Sequence, residues 1–101
     1  MDNMQWEQAL TIQKQIGQKA LVMIGARNQQ IGLTNGNPFF AFRIIVNPSK
    51  IREIKVMLMP SDTYNVIFYN IHMKVIKSFT EIYAEYLTKI IHEVTGIALS
   101  L

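Results

Sequence analysis

The sequence predicts an α+β fold, in which an antiparallel meander of four to five strands carries an N-terminal and a C-terminal helix on one face. The first and last segments of the chain have apolar residues at helical spacing. Between them, short segments alternate in polarity at the period of a strand and are separated by turn residues. The 101 residues, 50% of them hydrophobic, suffice for one core and contain no linker or repeat, so we assign residues 1–101 to a single α+β domain.

The first helix is predicted to begin after Asp2, whose carboxylate can accept a bond from a free backbone N–H group. Gly17 stands where a helix commonly ends on a residue with a left-handed backbone. The apolar residues between them form one stripe, made of Trp6, Ala9, Leu10, Ile12 and Ile16. The uncharged run 20–26 that follows is short and partly β-branched, which predicts a strand buried on both faces.

The middle of the chain is predicted to hold most of the sheet. Residues 27–38 are mostly polar or turn-forming, which indicates a long loop, and Asn35 and Gly36 form its sharpest turn signal. Consecutive strands beyond it are expected to pair as an antiparallel meander. Their alternating patterns cover residues 39–46, 54–59 and 64–69, followed by a short fifth strand at 73–77.

The last helix is predicted from a capping box, in which Ser78 and Glu81 would each accept a backbone N–H bond at its first turn. Gly96 is expected to end this helix, and the apolar tail 97–101 is expected to dock on the fold. The apolar stripe of the helix consists of Ile82, Tyr86, Leu87, Ile90, Ile91 and Val94.

Composition excludes several classes of protein. The absence of cysteine excludes disulfide scaffolds, thiolate metal sites and thiol nucleophiles. The first nineteen residues lack the pattern of a signal peptide, and no apolar run is long enough for a membrane helix, so we expect a soluble cytoplasmic protein with no membrane partner. His72 and His92 have no third ligand at metal spacing, and the glycine-containing segment 32–38 lacks the Lys-Ser/Thr of a phosphate-binding loop. We therefore expect no metal and no cofactor.

The sequence contains no set of residues that predicts an active site. Glu81 and Glu85 are four apart, a spacing that catalytic carboxylates can use, but helix capping and the helix dipole account for both. His92 and Glu93 are neighbours and would not face each other on a helix. Since no nucleophile, base and oxyanion arrangement can be named, we predict no catalytic residues and a protein that is not an enzyme.

The charge is concentrated in the predicted sheet. Residues 27–77 hold seven basic and two acidic side chains, a net +5, within a chain of formal net charge +3. If the aliphatic face of the third strand meets the helices, the outer face carries cations beside an aromatic ring, which is what single-stranded nucleic acid requires. A solvated outer face is the alternative interpretation. The residues predicted to bind nucleic acid are Arg43, Lys55, Tyr69 and Lys74.

The same outer face is predicted to be an interface. Met57, Met59 and Ile67 have the parity opposite to the core, and a contiguous apolar patch on a lone monomer would be unusual. We expect a homodimer joined through this face or through an edge strand, because a two-fold axis lets one patch serve both copies. A loop 27–38 or a tail 97–101 folded over the face would instead leave a monomer.

Three stretches of the sequence resemble a group of small uncharacterised proteins of bacteriophages and related mobile elements. They are Met-Ile-Gly-Ala-Arg-Asn at 23–28, Thr-Tyr-Asn-Val-Ile-Phe at 63–68, and Ile-Tyr-Ala-Glu-Tyr-Leu at 82–87 with Glu-Val-Thr-Gly at 93–96. The resemblance covers most of the chain beyond Gln15. It implies a phage or prophage origin, and hence a bacterial host cytoplasm, but it implies no reaction.

Two classes of function remain open. The first is a non-enzymatic accessory factor that binds nucleic acid through the basic face of the sheet. The second is a protein-interaction module, such as an inhibitor of a host defence protein, that uses the Met and Ile residues of the same face. The salt dependence of binding distinguishes the two classes, because the affinity of phosphate contacts falls steeply with ionic strength whereas that of an apolar protein contact does not.

Overall fold

The computed structural model describes residues 1–99 and has an α+β fold with one five-stranded antiparallel sheet. The strands follow one another in the sheet in the order in which they occur in the chain, so the predicted meander with a helix at each end is confirmed. The elements are α1 (Asn3–Ile16), α2 (Gln18–Met23), β1 (Arg27–Thr34), β2 (Asn37–Arg43), β3 (Glu53–Leu58), β4 (Tyr64–Tyr69), β5 (Val75–Ile82), a 3₁₀ turn (Ala84–Tyr86) and α3 (Leu87–Thr95).

The helix α1 begins and ends where the sequence predicts, and Ala9, Ile12 and Ile16 of the predicted stripe are buried, whereas Trp6 is 49% exposed. The Asp2 carboxylate accepts a 2.8 Å bond from the Gln5 backbone N–H, and the Gln5 side chain accepts a 3.1 Å bond from the Asp2 backbone N–H. This reciprocal pair satisfies donors that the first turn would otherwise leave free. Gly17 ends the helix with φ of +91°, a backbone conformation that side chains other than glycine rarely adopt.

One hydrophobic core holds the helices against the sheet. All three helices contribute to it, α1 through Ile12 and Ile16 and α3 through Leu87 and Ile91. They therefore share one side of the sheet, the inner face, while the opposite or outer face carries none of the described helices. Alternate residues of the three central strands complete the core, namely Phe40, Phe42, Ile54, Val56, Tyr64, Val66 and Phe68.

The predicted strand at 20–26 is wrong, because this run forms α2 and the turn after it. Ala20, Leu21 and Ile24 are buried, whereas Val22 between them is 66% exposed. That spacing belongs to a helix with one face on the core. A short apolar run does not reveal its period, so composition alone did not distinguish the two structures.

The predicted long loop at 27–38 is also wrong, since it forms β1 and a hairpin into β2. The turn at Asn35 and Gly36 is confirmed, and both residues have positive φ, +50° and +81°, as a two-residue hairpin turn requires. The strand β1 lies at the edge of the sheet, and its first four residues are exposed. With neither face well buried, it has no apolar period from which it could be predicted.

The predicted capping box at 78–81 is wrong, because these residues lie within β5. Ser78 pairs with Ile67, and the ring of Phe79 packs edge-on against Phe68 with centroids 6.1 Å apart. The backbone of Glu81 has φ of +57° at a register irregularity of this strand. The helix begins later, at the 3₁₀ turn, so the carboxylate of Glu81 does not cap it.

The C-terminal helix ends where the sequence predicts. Gly96 adopts a left-handed backbone with φ of +74°, and its N–H donates to the His92 carbonyl. Leu99 belongs to the core, in line with the predicted docking of the tail, whereas residues 100 and 101 of that tail lie outside the described part of the chain.

Leu87 anchors α3, so we expect its replacement by alanine to lower the free energy of unfolding by about 2 to 5 kcal/mol. The loss combines the transfer energy of the removed carbons with the cavity they leave. The neighbouring Tyr86 is exposed, and Tyr86→Ala should cost much less. Urea titrations of both variants check this, and equal midpoints for Leu87→Ala and the native chain would contradict it.

Tyr64 links stability to alkaline pH. Burial raises the pKa of its phenol above the usual value of about 10, the hydrogen bond with the Gln15 side-chain amide lowers it, and the negative charge of Asp62 raises it. The net effect is a raised pKa. Because the unfolded chain loses this proton first, the stabilising contribution of the phenol is present below pH about 10 and is lost as the pH rises above it.

We therefore expect Tyr64→Phe to be less stable than the native chain at neutral pH, by about 1 kcal/mol for the lost hydrogen bond. The difference in unfolding free energy between the two proteins should stay constant up to about pH 9 and narrow as the pH rises above about 10. Denaturation midpoints measured across this range test the prediction. A gap that stays constant or widens would show that the phenol does not have a raised pKa.

Candidate nucleic-acid interface at one end of the sheet

The register of the sheet aligns five strand ends in one row. Arg27 lies opposite Arg43, Arg43 opposite Glu53, Glu53 opposite Tyr69, and Tyr69 opposite Val75. Directly opposed residues of antiparallel strands point to the same side, and this row alternates with the buried residues of the central strands. The row therefore lies on the outer face, and the β2–β3 loop and the β4–β5 turn emerge beside it.

This end of the sheet is strongly positive. Glu53 is the acidic residue that the described chain places there, while Asp62, Glu81 and Glu85 lie toward the opposite end. Strands of six to eight residues separate the two ends by about 20 Å, at about 3.3 Å per residue. Six of the ten basic residues of the chain form what we call the basic end: Arg27, Arg43, Lys50, Arg52, Lys74 and Lys77.

The two arginines of the row are incompletely neutralised. Arg27 and Arg43 stand directly opposite each other, an arrangement in which like charges repel. The Nε atom of Arg43 lies 3.7 Å from a carboxylate oxygen of Glu53, in a partly exposed pair of the kind that contributes little. One carboxylate thus faces two guanidinium groups, which leaves a positive surplus on this row.

Tyr69 occupies the same row and is half-buried. Burial, and secondarily the negative charge of Glu53, raise the pKa of its phenol above the usual value of about 10. Lys74 follows in the adjacent turn and is exposed. The structure therefore brings together three of the four residues that the sequence predicts as a nucleic-acid site: Arg43, Tyr69 and Lys74.

The fourth predicted residue, Lys55, lies at the centre of the outer face and is engaged within the protein. Its Nζ atom stands 4.3 Å from the centroid of the Phe39 ring and donates a 2.7 Å hydrogen bond to the Thr34 hydroxyl. The same ring rests on Gly32, where an added Cβ would approach ring carbons to 2.9 Å. Gly32, the Phe39 ring and the Lys55 ammonium group form one stack across three strands. Lys55 therefore makes contacts within the sheet rather than presenting a free charge.

Two turns beside the row enclose a cleft of about 360 Å³. We call it the turn-tip cleft, and no acidic residue of the described chain lines it. Its walls combine aliphatic side chains with basic and amide groups, and they consist of Val46, Asn47, Lys50, Ile51, Arg52, Asn70, Ile71 and His72.

Hydrogen bonds hold both turns in place. The buried Asn47 amide donates to the carbonyls of Ile45 and Ile51, at 3.0 and 2.7 Å, and its oxygen accepts from the Ile51 N–H at 3.1 Å. The Asn70 side-chain oxygen accepts from the backbone N–H groups of His72 and Lys74, at 2.9 and 3.0 Å. The cleft is therefore shaped before any ligand arrives.

Sequence reasoning missed Arg27, Lys50, Arg52 and Lys77 as members of the site. A signal was present for two of them, since Lys50 and Arg52 directly follow the turn residues at 47–49. Arg27 was concealed by the wrong prediction of a loop at 27–38. Arg27 lies next to Arg43 because β1 pairs with β2, and this strand pairing is known only from the folded sheet.

The predicted interface residues are less exposed than expected for side chains on the outer face of the sheet. Met57 is 9% exposed between its cross-strand partners Phe39 and Asn65, while Met59 and Ile67 are half-buried. Both edge strands also carry register irregularities, which discourage pairing with another edge. The homodimer stays a prediction. The apolar side chains that protrude most at this end are instead Val46, 85% exposed, and Ile71, 66% exposed.

Comparison with family models, with curated proteins and with solved structures finds no match for this chain. The resemblance to phage proteins therefore stays a prediction. Within residues 1–99, no helix has the length and apolar character needed to cross a membrane, and no three His, Cys, Asp or Glu side chains lie close enough together to hold a metal ion.

We expect Lys55→Gln to lower the free energy of unfolding by about 1 kcal/mol, because it removes the contact with Phe39 and weakens the bond to Thr34. Lys89→Gln, an exposed change on α3, should stay within about 0.5 kcal/mol of the native chain. Chemical denaturation compares the two. Equal stability of both variants would show that the ammonium group contributes nothing to the stack.

Proposed function

We propose that this protein is a non-enzymatic accessory factor that binds single-stranded nucleic acid through its basic end. The observation that carries the proposal is the gathering of six positive side chains beside one negative side chain at one end of the sheet. Phosphate groups attract such a cluster, and release of their counterions supplies much of the affinity. A bound phosphate beside Arg27 and Arg43 would also relieve the repulsion between these two residues.

Geometry supports a single strand over a duplex. The basic end presents the β2–β3 loop and the β4–β5 turn. The helix that ends beside them, α2, has six residues, which is too short to fill a major groove. Tyr69 and His72 supply flat rings near the cations, and flat rings stack on bases only where the bases are unpaired. The predicted phage origin places this activity in the cytoplasm of a bacterial host, and that part of the proposal depends on the resemblance alone.

A protein-interaction module, such as an inhibitor of a host defence protein, is the second candidate. The exposed aliphatic side chains of Val46 and Ile71 favour it, because protein interfaces centre on buried apolar anchors. Binding to such a partner would change little with salt. Binding to nucleic acid through six cations would weaken strongly, with a slope of log affinity against log salt near −0.7 for each phosphate contact.

Two triple variants with the same net charge test the proposal. Lys50, Lys74 and Lys77 changed together to Gln remove three charges from the basic end, and Lys14, Lys19 and Lys89 changed together to Gln remove three from the helices. Each variant takes the formal net charge from +3 to 0. We expect the first to weaken binding of a fluorescent single-stranded oligonucleotide at least about tenfold and to reduce the salt slope by about 2, and the second to change both only slightly.

Fluorescence anisotropy at low and rising salt measures both quantities. Equal losses in the two variants would show that net charge alone, without the basic end, accounts for binding. No anisotropy change with the native chain at low salt would remove the proposal.

A further inference from the structure

We propose that the turn-tip cleft receives one unpaired base of the bound strand, held between Val46 and Ile71. This inference rests on the proposed function and assigns the cleft a part in it. The cleft then explains why the protein would select single strands, since a base in a duplex is stacked on its neighbours and cannot enter.

The aliphatic walls of the cleft are the first argument. Val46 and Ile71 come from different turns, line the same cleft and are largely exposed, while Ile51 lines it from a buried position. Aliphatic groups do not stabilise a bound phosphate, so these walls indicate a ligand with apolar surface. A base has two such faces, and an unstacked base exposes both.

The charges around the cleft are the second argument. Lys50 and Arg52 belong to its lining, Lys74 stands in the adjoining turn, and no acidic side chain of residues 1–99 lines it. An occupant must therefore combine an apolar centre with negative groups on its flanks. A nucleotide within a strand has this composition, with its base between two phosphates.

The amide groups of the cleft indicate how the base is held. Asn47 has both N–H donors and its oxygen engaged with the backbone, and the oxygen of Asn70 already accepts two bonds. The polar groups that remain free in the cleft are donors, among them the Arg52 Nε, which is buried without a hydrogen-bond partner in the described chain. Every base carries acceptors that such donors can bind, so free donors alone distinguish little between bases. We therefore expect contact through the faces of the base and only a small preference among the four bases.

The cleft also needs little ordering on binding. The Arg52 backbone N–H donates a 2.7 Å bond to the Tyr69 carbonyl, which ties the chain leaving one turn to the strand entering the other. Within the turns, Lys50 and Met73 hold left-handed backbones, with φ of +59° and +58°. Rigid walls lower the entropy that binding must overcome.

The experiment compares a single-stranded oligonucleotide of about twelve nucleotides with a chain of the same length built from abasic sites, which keeps the phosphates and lacks the bases. The test variant is Val46→Ser with Ile71→Ser, and the matched control is Met4→Ser, which alters an equally exposed apolar residue of α1. Unchanged thermal midpoints verify that each variant is folded. Anisotropy yields the affinity of each protein for each ligand.

We expect the native chain and Met4→Ser to bind the base-bearing strand about fivefold to tenfold more tightly than the abasic one. The double variant should bind both equally, with the salt slope and the abasic affinity unchanged. A duplex of the same sequence should bind the native chain no better than the abasic strand does.

Three results would overturn the inference. Equal binding of abasic and base-bearing strands by the native chain would refute the base site and leave the proposed function intact. Failure to bind either strand would refute the proposed function as well. Binding of an acidic peptide with aliphatic residues but of neither strand, lost in the double variant, would show that the cleft is a protein-docking site.

Discussion

The register of the antiparallel meander is the constraint on which the rest of the structure depends. Phe40, Val56 and Val66 form one row across the central strands, and all three are buried beneath the helices. A slip of one residue in any strand would turn its row toward solvent. Burial of the inner face fixes this register. The same register aligns the strand ends and so brings the residues of the basic end together.

The two faces of the sheet are stabilised by different interactions. The inner face depends on burial of aliphatic and aromatic side chains against helices, whereas the outer face contains the stack of Gly32, Phe39 and Lys55. This stack takes one cation out of the positive surface and covers apolar area that would otherwise be exposed. The cations of the basic end lie in the turns and toward the strand ends, and all of them except the half-buried Arg52 are exposed.

Prediction from the sequence succeeded where one face of an element met the core. Residues 64–69 alternate as a strand, and Tyr64, Val66 and Phe68 are indeed the buried ones. It failed for β1, whose exposed residues have no period, and at 20–26, where a short apolar run fits a helix or a strand. Ser78 and Glu81 have the spacing of a helix start, but both lie in β5, where Phe79 packs on Phe68 across the sheet.

The sequence by itself determined the α+β class, the hairpin turn at Asn35 and Gly36, the alternation of the central strands and the surplus of positive charge between residues 27 and 77. Tertiary structure alone decided that Arg27 would face Arg43, that Lys55 would be engaged on Phe39, and that two turns would enclose a cleft. The physical reason is the distance along the chain between the residues that interact. Local patterns report how a residue relates to its neighbours in the chain, whereas these contacts join positions that only strand pairing brings together.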